Sequence, residues 1–185
     1  MSERYDNVTI ALHWLIAAAF VGEIALGIYL GEVPRGTPAR AYWVGLHKSI
    51  GVTVGLAAIA LLVRRHIVAP PELPPTLPAW ERTAARAGHV LLYVCLIGIP
   101  VAGYIASNFS RFGIKYFGLF ELKPWGPDDK RIYAFFNSVH DWLAWAAAVL
   151  VAIHIAAALK HALIDRDRVL QRMLPSRGTA PHAVR

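Results

Sequence analysis

Four long apolar runs, each the length of a bilayer crossing, constrain this chain more than any other feature. A membrane span needs about 20 mostly apolar residues. Val8 to Leu30 supplies 23 with one charge, Glu23, and Trp43 to Val63 supplies 21 with one, Lys48. Ala87 to Asn108 supplies 22 with none. Trp142 to Leu159 supplies 18 with none, and its helix extends back to about Tyr133. A soluble bundle would show a polar stripe at every helical turn, and these runs show none. The expected fold is therefore an all-α membrane protein. One domain over residues 1–185 forms a four-transmembrane-helix bundle, with helices at about 8–30, 43–63, 87–108 and 133–160.

Composition narrows the function classes. Charged residues are 17% of the chain and the mean hydropathy is +0.43, which excludes a disordered polypeptide. The net charge of +7 is scattered between apolar runs. It does not form the basic stripe of a nucleic-acid binder, so no nucleic-acid partner is expected. The single cysteine, Cys95, permits neither an intrachain disulfide nor a thiolate-ligated iron–sulfur cluster. It reads as packing. There is no CxxCH motif for covalent haem attachment.

The connectors differ in kind. Gly31 to Tyr42 reads as a short loop, and Arg64 to Arg86, with five prolines, as a stiff extended spacer. Ser110 to Ile132 mixes aromatic and charged residues and is expected to pack on the membrane surface. The first helix reads as an uncleaved anchor. With both termini on one side, that side carries eleven Lys/Arg against eight on the other. The excess favours both termini in the cytoplasm.

Histidines inside lipid are functional by default. His13 starts helix one and His47 starts helix two, at opposite membrane faces. His140 and His154 sit fourteen residues apart on helix four. That spacing is about 21 Å of rise and returns the chain to within about 40° of one face. Depth pairs His47 with His140 on the outer side and His13 with His154 on the inner side. Two stacked imidazole pairs across a four-helix bundle suit two b-type haems with bis-histidine ligation. Gly27, Gly51 and Gly103 fall where a flat ring needs close approach to the backbone.

His89, at the inner end of helix three, is an alternative to His13 as partner of His154. Its other reading is a quinone pocket beside the inner haem, with His161 and Arg86 as further hydrogen-bond donors. His66 and His182 read as solvent-exposed. Glu23, in mid-membrane, reads either as part of a proton path or as a structural acid.

The segments RYDNVTIALHW, YWVGLHKSIG, AGHVLLYVCLIGIPVAGY and HDWLAWAAAVLVAIH, with the closing RMLP, resemble the bacterial cytochrome b561 family over about Arg4 to Pro175. The resemblance implies two haems b per chain, ligated at His13, His47, His140 and His154, and electron exchange with quinone. Within the family, the short chain is most similar to stand-alone members that oxidise periplasmic superoxide to dioxygen and reduce ubiquinone. The alternative is a cytochrome b subunit linking a hydrogenase or dehydrogenase partner to the quinone pool. The outer segments carry eight cations against five acids. Arg111, Lys115 and Lys123 in the third connector are thus candidates for steering an anion such as superoxide.

Overall fold

The computed structural model describes residues 4–72 and 77–175. Pro74, Pro75, His182 and the last ten residues of the basic tail lie outside the described residues. Among the described residues, four helices are long and apolar enough to cross a membrane. They are α1 (Asn7–Glu32), α2 (Pro38–Ile67), α3 (Ala79–Asn108) and α4 (Lys130–Lys160). Between α3 and α4 stands a two-stranded antiparallel hairpin, β1 (Ile114–Tyr116) and β2 (Phe120–Leu122).

The helices outrun their apolar cores. Their 26 to 31 residues correspond to about 39–46 Å at roughly 1.5 Å per residue, more than the hydrocarbon thickness. The first loop shrinks to residues 33–37, and the expected extended spacer is helical through Ile67 and again from Ala79. Charged residues beyond the membrane surface keep their helical hydrogen bonds, so the end of a hydrophobic run does not end the helix. Capping does. Asp6 accepts from the backbone N–H groups of Val8 and Thr9, Thr37 from Arg40, and Asp129 from Arg131 and Ile132. Such caps contribute about 1 kcal/mol each. Pro38 lies in the first turn of α2, where its missing N–H costs nothing.

The main helix contacts are α3 with α4, α1 with α2, and α2 with α3. Their core gathers Ile16, Phe20, Val54, Leu61, Cys95, Ile99 and Ala147. Cys95 is buried there, in the packing role expected of it. Pro100, inside α3, lies against Gly55 of α2, where a Cβ would meet the proline ring at 3.0 Å. The outward face of α4 presents Trp142, Trp145, Val149 and Ile153, an apolar surface that lipid covers.

The hairpin is an addition to the all-helical expectation. Its turn places Phe117 and Gly118 at φ 47° and 74°, and the carbonyl of Tyr116 accepts from the N–H of Leu119 at 2.9 Å. Two successive positive φ values are the signature of a type I′ hairpin turn. The fully buried Ser49 of α2 holds this turn. Its hydroxyl accepts from the Phe117 N–H at 2.9 Å and donates to the Lys115 carbonyl at 3.2 Å. The third connector therefore packs on the bundle through α2, two residues from His47.

At the opposite end, where the described residues begin and end, the chain closes on itself. The Trp14 indole donates to the Met173 carbonyl at 2.6 Å, and the Tyr5 N–H donates to the Arg172 carbonyl at 3.2 Å. The RMLP segment is thus a latch over the start of α1. Asp6 joins α1 to α2 through Arg64 at 2.6 Å. Desolvation alone would raise the Asp6 carboxyl. Hydrogen bonds from Thr9 and Arg64 outweigh it and hold the group well below the usual carboxylate range.

Candidate functional site

The histidines assemble at two levels. At the hairpin end, the rings of His47 (α2) and His140 (α4) have centroids 5.8 Å apart, nearly perpendicular at 83°. At the terminal end, His154 (α4) faces His13 (α1) at 6.3 Å and His89 (α3) at 5.6 Å. A metal–imidazole bond of about 2 Å sets two ring centres about 6 Å apart across one metal, so all three spacings fit an iron between two imidazoles. The paired residues also join α4 to α1 and α2, helices that it does not mainly pack against. That is the separation a flat macrocycle requires. Both halves of the terminal-end alternative remain geometrically open, since His13 and His89 flank the same His154.

The chain orients these rings. His140 Nδ1 lies 2.9 Å from the carbonyl oxygen of Ile99. With Nδ1–H donating to that oxygen, Nε2 is the free ligand nitrogen. Gly103 permits the contact. It lies one turn past Ile99, and a Cβ there would come within 2.9 Å of His140 Nδ1. Besides the room for a porphyrin expected of it, the glycine admits the imidazole. Gly103→Ala is therefore expected to displace His140 and weaken metal retention at the hairpin end by about 10–100-fold, the usual cost of losing an outer-shell partner. Haem content after detergent purification, compared with wild type, checks this.

Glu23, half-way along α1, faces His47. Its Oε2 stands 2.7 Å from His47 Nδ1, and the residue is 8% exposed. His47 Nδ1 makes no well-aligned hydrogen bond, so the contact is one of proximity alone. Gly51, one turn from His47, leaves space beside this carboxylate, with its virtual Cβ 3.7 Å from Oε2. Gly27 has nothing within 4 Å of its virtual Cβ. His13, like His47, has its Nδ1 buried without a hydrogen-bond partner, and its ring meets the edge of Trp14 at 5.2 Å.

The other candidates do not all converge. His161 Nδ1 lies 2.7 Å from Asp167 and 3.2 Å from Asp165. Lys160 bridges Asp165 and Glu81 at 2.6 and 3.0 Å. His161 thus belongs to an ionic knot at the end of α4, with Nδ1 already engaged. Arg86 is exposed. Sequence reading missed Arg65 and Tyr93. The Arg65 guanidinium interacts with the Tyr93 phenol and lies within electrostatic reach of His89. Arg65 follows the second apolar run directly and Tyr93 is one turn from His89, which is the signal that could have found them.

The proposed steering cations are partly engaged too. Arg111 pairs with Asp128 at 2.8 Å, and Lys115 sits opposite Glu121 in the hairpin register. Lys123 is exposed. Lys48 is not a free surface charge: its ammonium faces the carbonyls of Phe112 and Gly113 at 3.4 and 3.3 Å.

Comparison with known proteins bears on these histidines. The sequence matches the family described as prokaryotic cytochrome b561 over residues 4–176. It is 36% identical to cytochrome b561 homolog 2 of Escherichia coli K12, covering 93% of this chain and 92% of that one. It is 29% identical to cytochrome b561 homolog 1 of the same organism, over 94% and 98%. A protein of Yersinia pestis named a probable superoxide oxidase is 26% identical, over 96% and 99%.

Proposed function

The chain belongs to the prokaryotic cytochrome b561 family and so carries electrons in a membrane with haem b, and we propose that it moves them from superoxide on the hairpin side to ubiquinone near the terminal side. One observation carries the reading: two imidazole pairs stand at opposite ends of the bundle and share α4. A site at one level could store or sense; two levels across a bilayer suit conduction.

His47 with His140 would hold one haem, and His154 with His13 or His89 the second. Haem b supplies one-electron iron chemistry, tuned by its ligands and burial. The residues do the rest. The Ile99 carbonyl sets the His140 tautomer, and Glu23 sits against His47. Around His89, Arg65 and Tyr93 offer donors for the carbonyls of a quinone. In balance, two superoxide anions each give up one electron, releasing two dioxygen molecules. One ubiquinone takes both electrons and two protons and becomes ubiquinol. Superoxide oxidation needs access and a favourable field, not an acid–base residue. In this reading the chain lies in the bacterial inner membrane with both termini cytoplasmic, and the hairpin faces the periplasm.

A second reading draws on the hairpin itself. With Arg111 neutralised by Asp128, the surface around it is as much aromatic as cationic, exposing Phe112, Leu119, Phe120 and Trp125. Such a patch suits a docked redox protein, making this chain the quinone-linked subunit of a hydrogenase or dehydrogenase. The purified protein alone, given enzymatically generated superoxide and ubiquinone, separates the two. Quinol formation abolished by superoxide dismutase and slowed by salt is expected. Haems that reduce with dithionite but ignore superoxide would favour the docked partner.

A further inference from the structure

We propose that Glu23 is a positioning residue for His47 that makes the hairpin-end haem the lower-potential one of the two, so that electrons run downhill toward the terminal end. The inference rests on the di-haem reading above and deepens it.

Glu23 is the one acidic residue within the apolar stretch of α1, and it is almost fully buried. A carboxylate is not retained there without a partner. Its Oε2 lies 2.7 Å from His47 Nδ1, and the residue is also within electrostatic reach of His140. The second oxygen, Oε1, is buried with no hydrogen-bond partner. The side chain is therefore committed to the histidine pair. Gly51 keeps the space beside it free of a side chain.

Among the described residues, no carboxylate forms an ion pair with His13, His89 or His154 at the terminal end, and the cation Arg65 lies within reach of His89. An anion against a ligand imidazole makes it a stronger donor and favours ferric iron. A cation near the other site favours ferrous iron. The two ends are thus biased in opposite senses, and the bias points electrons from hairpin to terminus.

The test uses the full-length holoprotein in detergent, with a spectroelectrochemical titration and low-temperature electron paramagnetic resonance. Glu23→Gln is nearly isosteric. It is expected to raise the midpoint potential of one haem and shift one low-spin signal, leaving the other haem where it was. Glu23→Asp, which keeps the charge but shortens its reach, is expected to give a partial shift in the same direction. A fall in thermal stability with both potentials and both signals unmoved would overturn the proposal, as would equal movement of both haems. Variants that fold without Glu23's help provide an independent check: the haem that survives in His47→Ala is expected to be the higher-potential one of the wild-type pair. Survival of the lower one would overturn the inference while leaving the di-haem reading intact. A wild-type protein with no haem at His47 and His140 would instead sink the di-haem reading itself.

Discussion

His47→Ala and His140→Ala are each expected to purify with one haem per chain instead of two, the surviving haem keeping its wild-type spectrum. The two rings face each other 5.8 Å apart at the hairpin end, on helices whose main contacts are made elsewhere. Removing either ring would leave one imidazole where two would hold the haem. Nothing nearby replaces it. Among the described residues, no third histidine ring stacks on this pair. The terminal-end rings pack separately, with their own neighbours. Core residues such as Phe20, Val54 and Ile99 also hold the helices together independently of either ring, so the variants are expected to fold. Superoxide-driven quinol formation should fall to background in both. Pyridine haemochrome analysis against protein concentration measures the first effect. Two haems per chain in either variant would refute the pairing.

The second large effect separates His13 from His89. His154→Ala is expected to remove the terminal-end haem outright, because His154 is the ring both candidates face. His13→Ala is expected to do the same. His89→Ala is expected to keep both haems yet slow ubiquinone reduction by at least tenfold, since His89 sits with Arg65 and Tyr93, the donors proposed for the quinone. The distinction follows from surroundings. His13 is held by its contact with Trp14, and Trp14 is held by the Met173 carbonyl, so the RMLP latch fixes that ring. Loss of a haem in His89→Ala, with two retained in His13→Ala, would reverse the roles. Quinol formation and haem content, measured on the same preparations, check both parts.

Much of the bundle was legible because hydrophobic length is a local property. Four apolar runs gave four helices, and the fourteen-residue interval on α4 put His140 and His154 at two levels. Helix ends were misjudged because apolar composition marks the lipid boundary, whereas Asp6, Thr37 and Asp129 mark where the backbone starts to coil. The hairpin was missed because Ile114–Tyr116 and Phe120–Leu122 are three residues each, too short for an alternation to register. Their stability comes instead from Ser49, a residue far away in sequence.

Partners were the least legible part of the site. Glu23 stood out as a buried charge, but which helix it faced depends on how α1 is rotated against α2. Gly103 stands out by its spacing, but its contact with His140 depends on what α4 brings against it. Arg111, Lys115 and Lys48 looked alike as outer cations. Folding pairs the first with Asp128, sets the second opposite Glu121, and turns the third onto backbone carbonyls. Net charge in a loop counts these groups equally, but their fields at the surface are not equal.

The central claim is that this chain holds two haems, each between two histidines, at opposite ends of one bundle. Haem quantification per chain on the wild-type protein, with electron paramagnetic resonance of the oxidised form, tests it most directly. Two haems and two low-spin ferric signals are predicted. One haem per chain, or a high-spin signal from an iron with a single histidine, would contradict it.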